Sequence, residues 1–295
     1  MDDESELKDE LCFVQFIHPG KEGAHPVGGV SEWRRNEHPH ARKFIETGGR
    51  CIGNGKKFTG PLRYWAEWEP ESEAAEINDP VDHGPRYVHR PYYVCPPSFT
   101  DHRNTDPFVF GGFYYTLCQQ HTAGRPTQLR CLARGSVILF GSCVSDQFVV
   151  DTVFVVAGLV DHDARDHEKL REYGLPDAFW TASLGPLYGD SVAGCAQTTN
   201  TQSYRLYLGA TVDKPLDDGM FSYCPCMPAS ESPCGFARPA ISIPDVITDG
   251  LLQGKRLNRG LGRQRLKEHW EDVRRQVESA GLFLGVATDV PLRRT

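Results

Sequence analysis

The chain has 295 residues, 39% of them hydrophobic and 24% charged, and a formal net charge of -7, ordinary values for a folded globular protein of one large or two smaller domains. Its longest apolar run, Phe148 to Val160, is broken by Asp151 and Thr152, so a membrane-spanning helix is excluded. The N-terminus reads Met1, Asp2, Asp3, Glu4, acidic where an export signal is basic, and a cytoplasmic protein is expected, with its ten cysteines mostly reduced and buried.

Residues up to Glu10 are acidic and expected to fray. Leu11 to Ile17 reads as a buried strand, closed by a turn at His18-Pro19-Gly20. Ser31 is placed to cap a short helical stretch around Trp33 that resumes after Pro39 as far as Ile45. Gly48-Gly49 and Gly53-Asn54-Gly55 read as turns. Leu62 to Trp68 reads as a strand and Glu71 to Glu76 as a short acidic helix or loop. Pro80 to Asp106 holds Pro80, Pro85, Pro91, Pro96 and Pro97, with Pro107 just beyond, which predicts an ordered loop rather than a regular element. Phe108 to Cys118 reads as a hairpin around Gly111-Gly112.

The clearest pair follows. Gly135 to Phe140 and Gln147 to Val156 are apolar strands joined by a turn, which predicts a hairpin central to the core. Val160 to Tyr173 reads as a helix, and Tyr204 to Leu208 and Gly219 to Tyr223 as strands. Gly262 to Ser279 is the strongest helix, with Leu266, Trp270, Val273 and Val277 on one face and charges on the other. The sum is an α+β fold with a strongly curved or barrel-like, mixed or antiparallel sheet, flanking helices and long loops. Residues 1–250 are expected to form one β-rich domain, and 251–295 a basic helical segment packed on it. That segment carries +5 and the remainder -12. Arg263, Arg265, Lys267 and Arg274 on its helix are the candidate contacts to a nucleic-acid backbone, against the alternative of a solvated amphipathic face.

Aromatic residues concentrate between Leu62 and Thr122, where 12 of the 31 fall. Among them stand Glu67, Glu69, Asn104, Asp106, Gln119, Gln120 and His121. Rings alone suit a core, whereas rings mixed with amides and carboxylates suit a pocket for a flat, hydrogen-bonding ligand such as a nucleobase. Trp65, Trp68, Asn104, Gln119, Gln120, His121 and His18 are the candidate base-binding residues.

Residues Ala133 to Gly141, leading to Phe148 to Val156, resemble the core hairpin of PUA-like domains (PUA, ASCH, EVE, YTH). That resemblance implies a small barrel with an aromatic pocket for a modified base. Three further segments, Phe16 to Gly20, Trp65 to Pro70 and Asn104 to Gly111, resemble those of uncharacterised bacterial proteins linked to DNA modification and phage defence. This implies DNA with modified bases as the partner and fixes no catalytic residue.

Base excision develops positive charge on the sugar and needs a carboxylate to stabilise it or activate water. Asp106, Glu67 and Glu69 are the candidate catalytic carboxylates; Asp106 is equally suited to an Asx-turn into Pro107. Period-2 geometry sets Trp65, Glu67 and Glu69 on one strand face and Ala66 and Trp68 on the other. Cys224, Cys226 and Cys234 could supply zinc thiolates but read equally as small buried residues in a Pro-rich turn, and His38 and His40 suit an exposed loop as well as a metal, so no metal is assigned. No GxGxxG, Walker loop, HExxH or Gly-x-Ser-x-Gly is present, nor the zinc-deaminase pattern. No cofactor is expected. A DNA glycosylase excising a modified base is the leading reading. A non-catalytic reader is the alternative, favoured if the glutamates are neutralised by structural arginines such as Arg63 or Arg90. A protein with a free-nucleotide ligand is the third.

Overall fold

The computed structural model describes residues 8–22, 30–32, 41–81, 84–95, 105–188 and 202–295. In chain order the strands are β1 (Phe13–Glu22), β2 (Val30–Glu32), β3 (Ala41–Gly53), β4 (Lys56–Glu67), β5 (Ser72–Glu76), β6 (Tyr87–Tyr93), β7 (Tyr114–Tyr115), β8 (His121–Thr122), β9 (Arg125–Pro126), β10 (Val137–Val144), β11 (Gln147–His162), β12 (Tyr204–Gly209), β13 (Cys224–Pro228), β14 (Gly254–Asn258), β15 (Phe283–Thr288) and β16 (Leu292–Arg293). Short helical turns, α1 (Asp177–Phe179) and α2 (Gly185–Tyr188), flank a π-helical turn at Trp180–Leu184, and α3 (Arg263–Ser279) is the one long helix among the described residues.

A six-stranded sheet runs β14-β1-β10-β11-β12-β7, with β1 parallel to β10 and its other pairs antiparallel. An eight-stranded sheet runs β15-β13-β4-β3-β6-β16, with β2 on β3 and β5 on β6. In the second sheet β3 pairs β4, β4 pairs β13, β13 pairs β15, and β15 returns to β3, so these pairings form a cycle. Gly285 lies where β13, β15 and β3 converge; a Cβ there would sit 3.1 Å from both the Cys224 carbonyl and the Cys226 Sγ, which favours glycine at that crossing.

Alternation along the strands feeds two apolar clusters. Val14, Phe16, Ile138, Phe140, Phe154, Tyr64 and Trp68 enter one. Phe13, Leu139, Val153, Val155 and Trp65 enter the other, together with Leu266, Trp270, Val273 and Val277 of α3. Both faces of β1, β10 and β11 are therefore covered, which is why their sequences read as unbroken apolar runs. Each large side chain so buried contributes about 1.5–3 kcal/mol.

The expected strands at Leu11, Leu62, Gly135, Gln147 and Tyr204 and the helix at Gly262 are present, with shifted ends. Other segments differ. Strand β1 continues through His18-Pro19-Gly20, absorbing them in a register shift between Ile17 and Lys21 instead of a turn. Ser31 lies in β2, and Gly48-Gly49 lies inside β3, facing Pro61 and Gly60 across the ladder. Residues 41–45 are strand, not helix, because pairing with β4 outweighs local propensity. Trp33 lies outside the described residues. Glu71 to Glu76 contains β5, and Pro91 sits in β6 within the expected loop. Phe108 and Tyr114 exchange both backbone hydrogen bonds, a minimal hairpin around Gly111-Gly112. The helix expected from Val160 starts only at His167, as a 3-10 helix, because β11 runs on to His162. Gly219 to Tyr223 is not a regular strand; only Tyr223 forms a bridge, to Val153. The segment 251–295 supplies β14, β15 and β16 to the sheets in addition to its helix.

Candidate active site

The last residue of β4 and the second of β3 are direct cross-strand neighbours, Glu67 and Arg42. Arg42 and Glu67 are fully buried, and the guanidinium Nη1 lies 3.3 Å from Glu67 Oε2. Its Nε lies 3.1 Å from Asp151 Oδ2, and its Nη2 donates to the His18 carbonyl at 2.8 Å. One residue thus ties β3 to β4, β11 and β1. Asp151 is the extra residue of a β-bulge: the β10–β11 register passes from Phe140–Thr152 to Gly141–Val150 and skips it. A bulge re-aims a side chain, and here it directs a carboxylate at Arg42 and at Arg238, whose Nη1 is 3.3 Å from Asp151 Oδ1. The Arg238 guanidinium also lies 4.9 Å above the Trp65 ring.

On the other side of Glu67, His18 Nδ1 lies 3.4 Å from Oε2. Oε1 takes a long 3.4 Å contact from the Asp106 backbone N–H. His18 keeps 9% of its side-chain surface exposed while Glu67 keeps none. The imidazole is therefore the point at which this buried pair can meet a ligand. The Phe16 ring, 5.6 Å from the imidazole, forms its apolar backing.

Asp106 is fully buried. Its Oδ1 accepts from Thr116 N at 3.0 Å, and its Oδ2 from Leu117 N at 2.7 Å and Cys118 N at 2.6 Å. Burial pushes its carboxyl up to about 7, against the pull of these three N–H donors, and neighbouring Glu67 adds to the rise. Asp106 therefore serves first to shape the 116–118 turn, a longer-range use of the carboxylate than an Asx-turn into Pro107. Thr116 Oγ1 is 2.8 Å from His162 Nε2, and His162 Nδ1 meets the Tyr188 hydroxyl. Burial lowers the His162 imidazole to about 4, so it is neutral at ordinary pH.

Glu67, Asp106 and His18 are thus brought together. Glu69 lies beyond the end of β4, half-buried, with its N–H donating to Thr105 Oγ1 at 3.0 Å. Trp65 on β4 and Trp68 just past its end enter opposite apolar clusters, so both are core residues. Trp65 donates to the Phe236 carbonyl at 3.1 Å and Trp68 to that of Glu71 at 2.8 Å, and neither ring has surface for a base to stack on. Gln120 spends its amide on the Arg205 backbone, donating to its carbonyl at 2.6 Å and accepting from its N–H at 2.9 Å. It completes a sheet edge and has neither amide group left to read a base. Gln119, at φ 58°, is half-buried and offers its carbonyl to Thr127 Oγ1 and Lys255 Nζ. His121 packs edge-on to Tyr204 at 4.9 Å; burial, then Arg130, lowers its pKa. Asn104, His38 and His40 lie outside the described residues.

The basic residues of α3 have acidic partners: Arg263 with Asp218 (2.5 Å), Arg265 with Glu268 (3.0 Å), Lys267 with Glu271 (3.8 Å) and Arg274 with Glu278 (3.6 Å). Arg63 and Arg90 both pair with Glu46, leaving Arg42 as the arginine on Glu67. Cys224 and Cys226 are buried thiols on β13, and among the described residues no group of three or more His, Cys, Asp or Glu is placed to hold a metal ion. No helix among them is long and apolar enough to cross a membrane.

Sequence reasoning missed Arg42, Arg238 and Lys255. Asp151 carried a signal, an acid inside the most apolar strand, which demands a buried cation. Compared with protein-family models, with curated proteins and with solved structures, the chain matches none.

Proposed function

We propose that this protein acts on modified nucleobases in DNA and cleaves the N-glycosidic bond, leaving an abasic site, in a defence against phage DNA. The observation that carries the reading is the His18–Glu67 pair: a carboxylate with no exposed surface behind an imidazole that has some. At ion-pair distance the carboxylate stabilises the imidazolium that forms when the ring takes a proton. Water attacks C1′, the imidazole takes its proton, and the bond electrons leave with the base. Glu67 orients the ring and balances the charge it gains. Asp106 positions the 116–118 turn beside the pair. The PUA-like reading joins this proposal, with the cyclic β3-β4-β13-β15 pairing as the closed element of a strongly curved sheet.

One observation favours a second reading, a binding module that grips a modified base without chemistry. Arg42 already neutralises Glu67 at 3.3 Å, and a reader needs no free carboxylate. DNA carrying plain, methylated, hydroxymethylated or glucosylated cytosine, incubated with the protein and then treated with alkali, separates the two. Breaks confined to one modified substrate, lost in His18→Ala and Glu67→Gln, are expected. Intact strands with a selective mobility shift would replace the enzyme by the reader, and neither result would overturn both.

A further inference from the structure

Lys255 is a half-buried amine that donates hydrogen bonds to two uncharged oxygens. Its Nζ donates to the Gln119 carbonyl at 3.1 Å and to Thr127 Oγ1 at 3.0 Å, with no carboxylate paired to it among the described residues. An ammonium of this kind loses hydration without gaining a counter-ion, which favours the neutral, nucleophilic form. Burial accordingly lowers it to about 8.

Its place in the fold adds the second half of the argument. Lys255 lies on β14 directly across from Phe16 of β1, and the Phe16 ring touches His18. Opposite residues of an antiparallel pair share a face, and the diagonal neighbour two residues on is within reach of a long side chain. Phe16 thus stands opposite Lys255 on the ladder and packs against the His18 ring. The Gln119 carbonyl that holds the amine belongs to the chain that has just passed through the Asp106-bound turn at 116–118. Strand β14 ends the sheet order, so among the described residues the strand that carries the lysine has a ladder partner on one side only.

We propose that Lys255 is a Schiff-base nucleophile for an aldehyde, and that its substrate is the ring-opened sugar of an abasic site in DNA. The inference rests on the reading of the site as a base-excising centre, whose product carries that aldehyde. The neutral amine adds to C1′, forming the C–N bond, and the carbonyl oxygen leaves as water with one proton from the amine and one from solvent, giving the iminium. The imidazole of His18 takes a proton from C2′. The C2′–C3′ double bond forms as the C3′–O bond breaks, and the 3′ phosphate departs with the electron pair. Water then hydrolyses the iminium and frees the lysine. No oxidant or reductant is involved.

The test uses DNA in which the abasic site is made beforehand, so it is independent of whether this protein releases a base. The full chain is mixed with that DNA and sodium borohydride, which reduces an iminium to a stable amine. A covalent protein–DNA adduct is expected, mapping by peptide mass spectrometry to Lys255. The adduct should be absent in Lys255→Arg, which keeps the charge and the donors, and undiminished in Lys214→Arg. Absence of an adduct with the wild-type protein, or its persistence in Lys255→Arg, would overturn the proposal. An adduct on Lys255 without base release from modified DNA would retain the lyase and remove the glycosylase.

Discussion

Two regions of this molecule hold charge in opposite ways. Around Arg42, charges are buried and their partners come from far along the chain: Glu67, Asp151 and the His18 carbonyl, each on a different strand. Along α3, the pairs Arg265–Glu268, Lys267–Glu271, Arg274–Glu278 and Arg275–Asp272 are local and solvated. Buried ions are costly unless fully matched, whereas exposed pairs three or four residues apart gain little. The first arrangement is therefore retained for what it fixes, the orientation of Glu67 and His18, and the second needs no explanation beyond solubility.

The largest expected effect comes from Arg42→Met. It removes the guanidinium from Glu67 and leaves Asp151 with Arg238 alone, and should cost about 3–5 kcal/mol, read as a fall in the urea midpoint at unchanged slope. A cost under about 1 kcal/mol would mean that water or rearrangement reaches the cluster. Glu67→Gln comes next. It keeps shape and removes charge, so it should abolish base release while leaving the fold able to form; retained turnover would separate the buried cluster from function.

Titration sharpens the contrast further. His162 sits at about 4, below its ordinary 6.5. A depressed base contributes stability present above 6.5 and lost as pH falls toward 4. Asp106, raised to about 7 from 3.8, has the opposite sign: its contribution is present below 3.8 and lost as pH rises through 7. His162→Gln should flatten the acid limb of stability against pH, and Asp106→Asn the decline toward neutrality; matching wild-type curves would contradict both assignments. The smallest effect belongs to α3. Arg265→Ala or Arg275→Ala should change stability by no more than about 0.5 kcal/mol. If the helix binds DNA phosphates, reversing Arg263 and Arg274 should flatten the salt dependence of affinity; an unchanged slope would confine the helix to its structural role.

Much of this was legible in the sequence, and the exceptions are physical. The strand bearing Glu67, the apolar β10–β11 hairpin and α3 follow from periodicity, which reports local geometry. His18 and Glu67 are each legible as candidate site residues, but their pairing is not, because it joins β1 to β4 across 49 positions of the chain. Arg42 was not legible: it follows Pro39 in a polar stretch that mimics a helix start, and its partners are 24 to 109 residues away. Trp65 and Trp68 were read as a slot because composition cannot tell a ring that stacks on a ligand from one that fills a core. Gln120 looked like a base reader because nothing local reveals that the Arg205 backbone claims both ends of its amide.

The most direct test of the account is alkali-revealed strand cleavage of DNA containing modified cytosine, with wild-type protein beside Glu67→Gln. Cleavage of one modified substrate by the wild type, and none by the variant at equal folded concentration, is the predicted result. Equal cleavage by both, or none by either alongside selective binding, would contradict the claim that the His18–Glu67 pair carries out base excision.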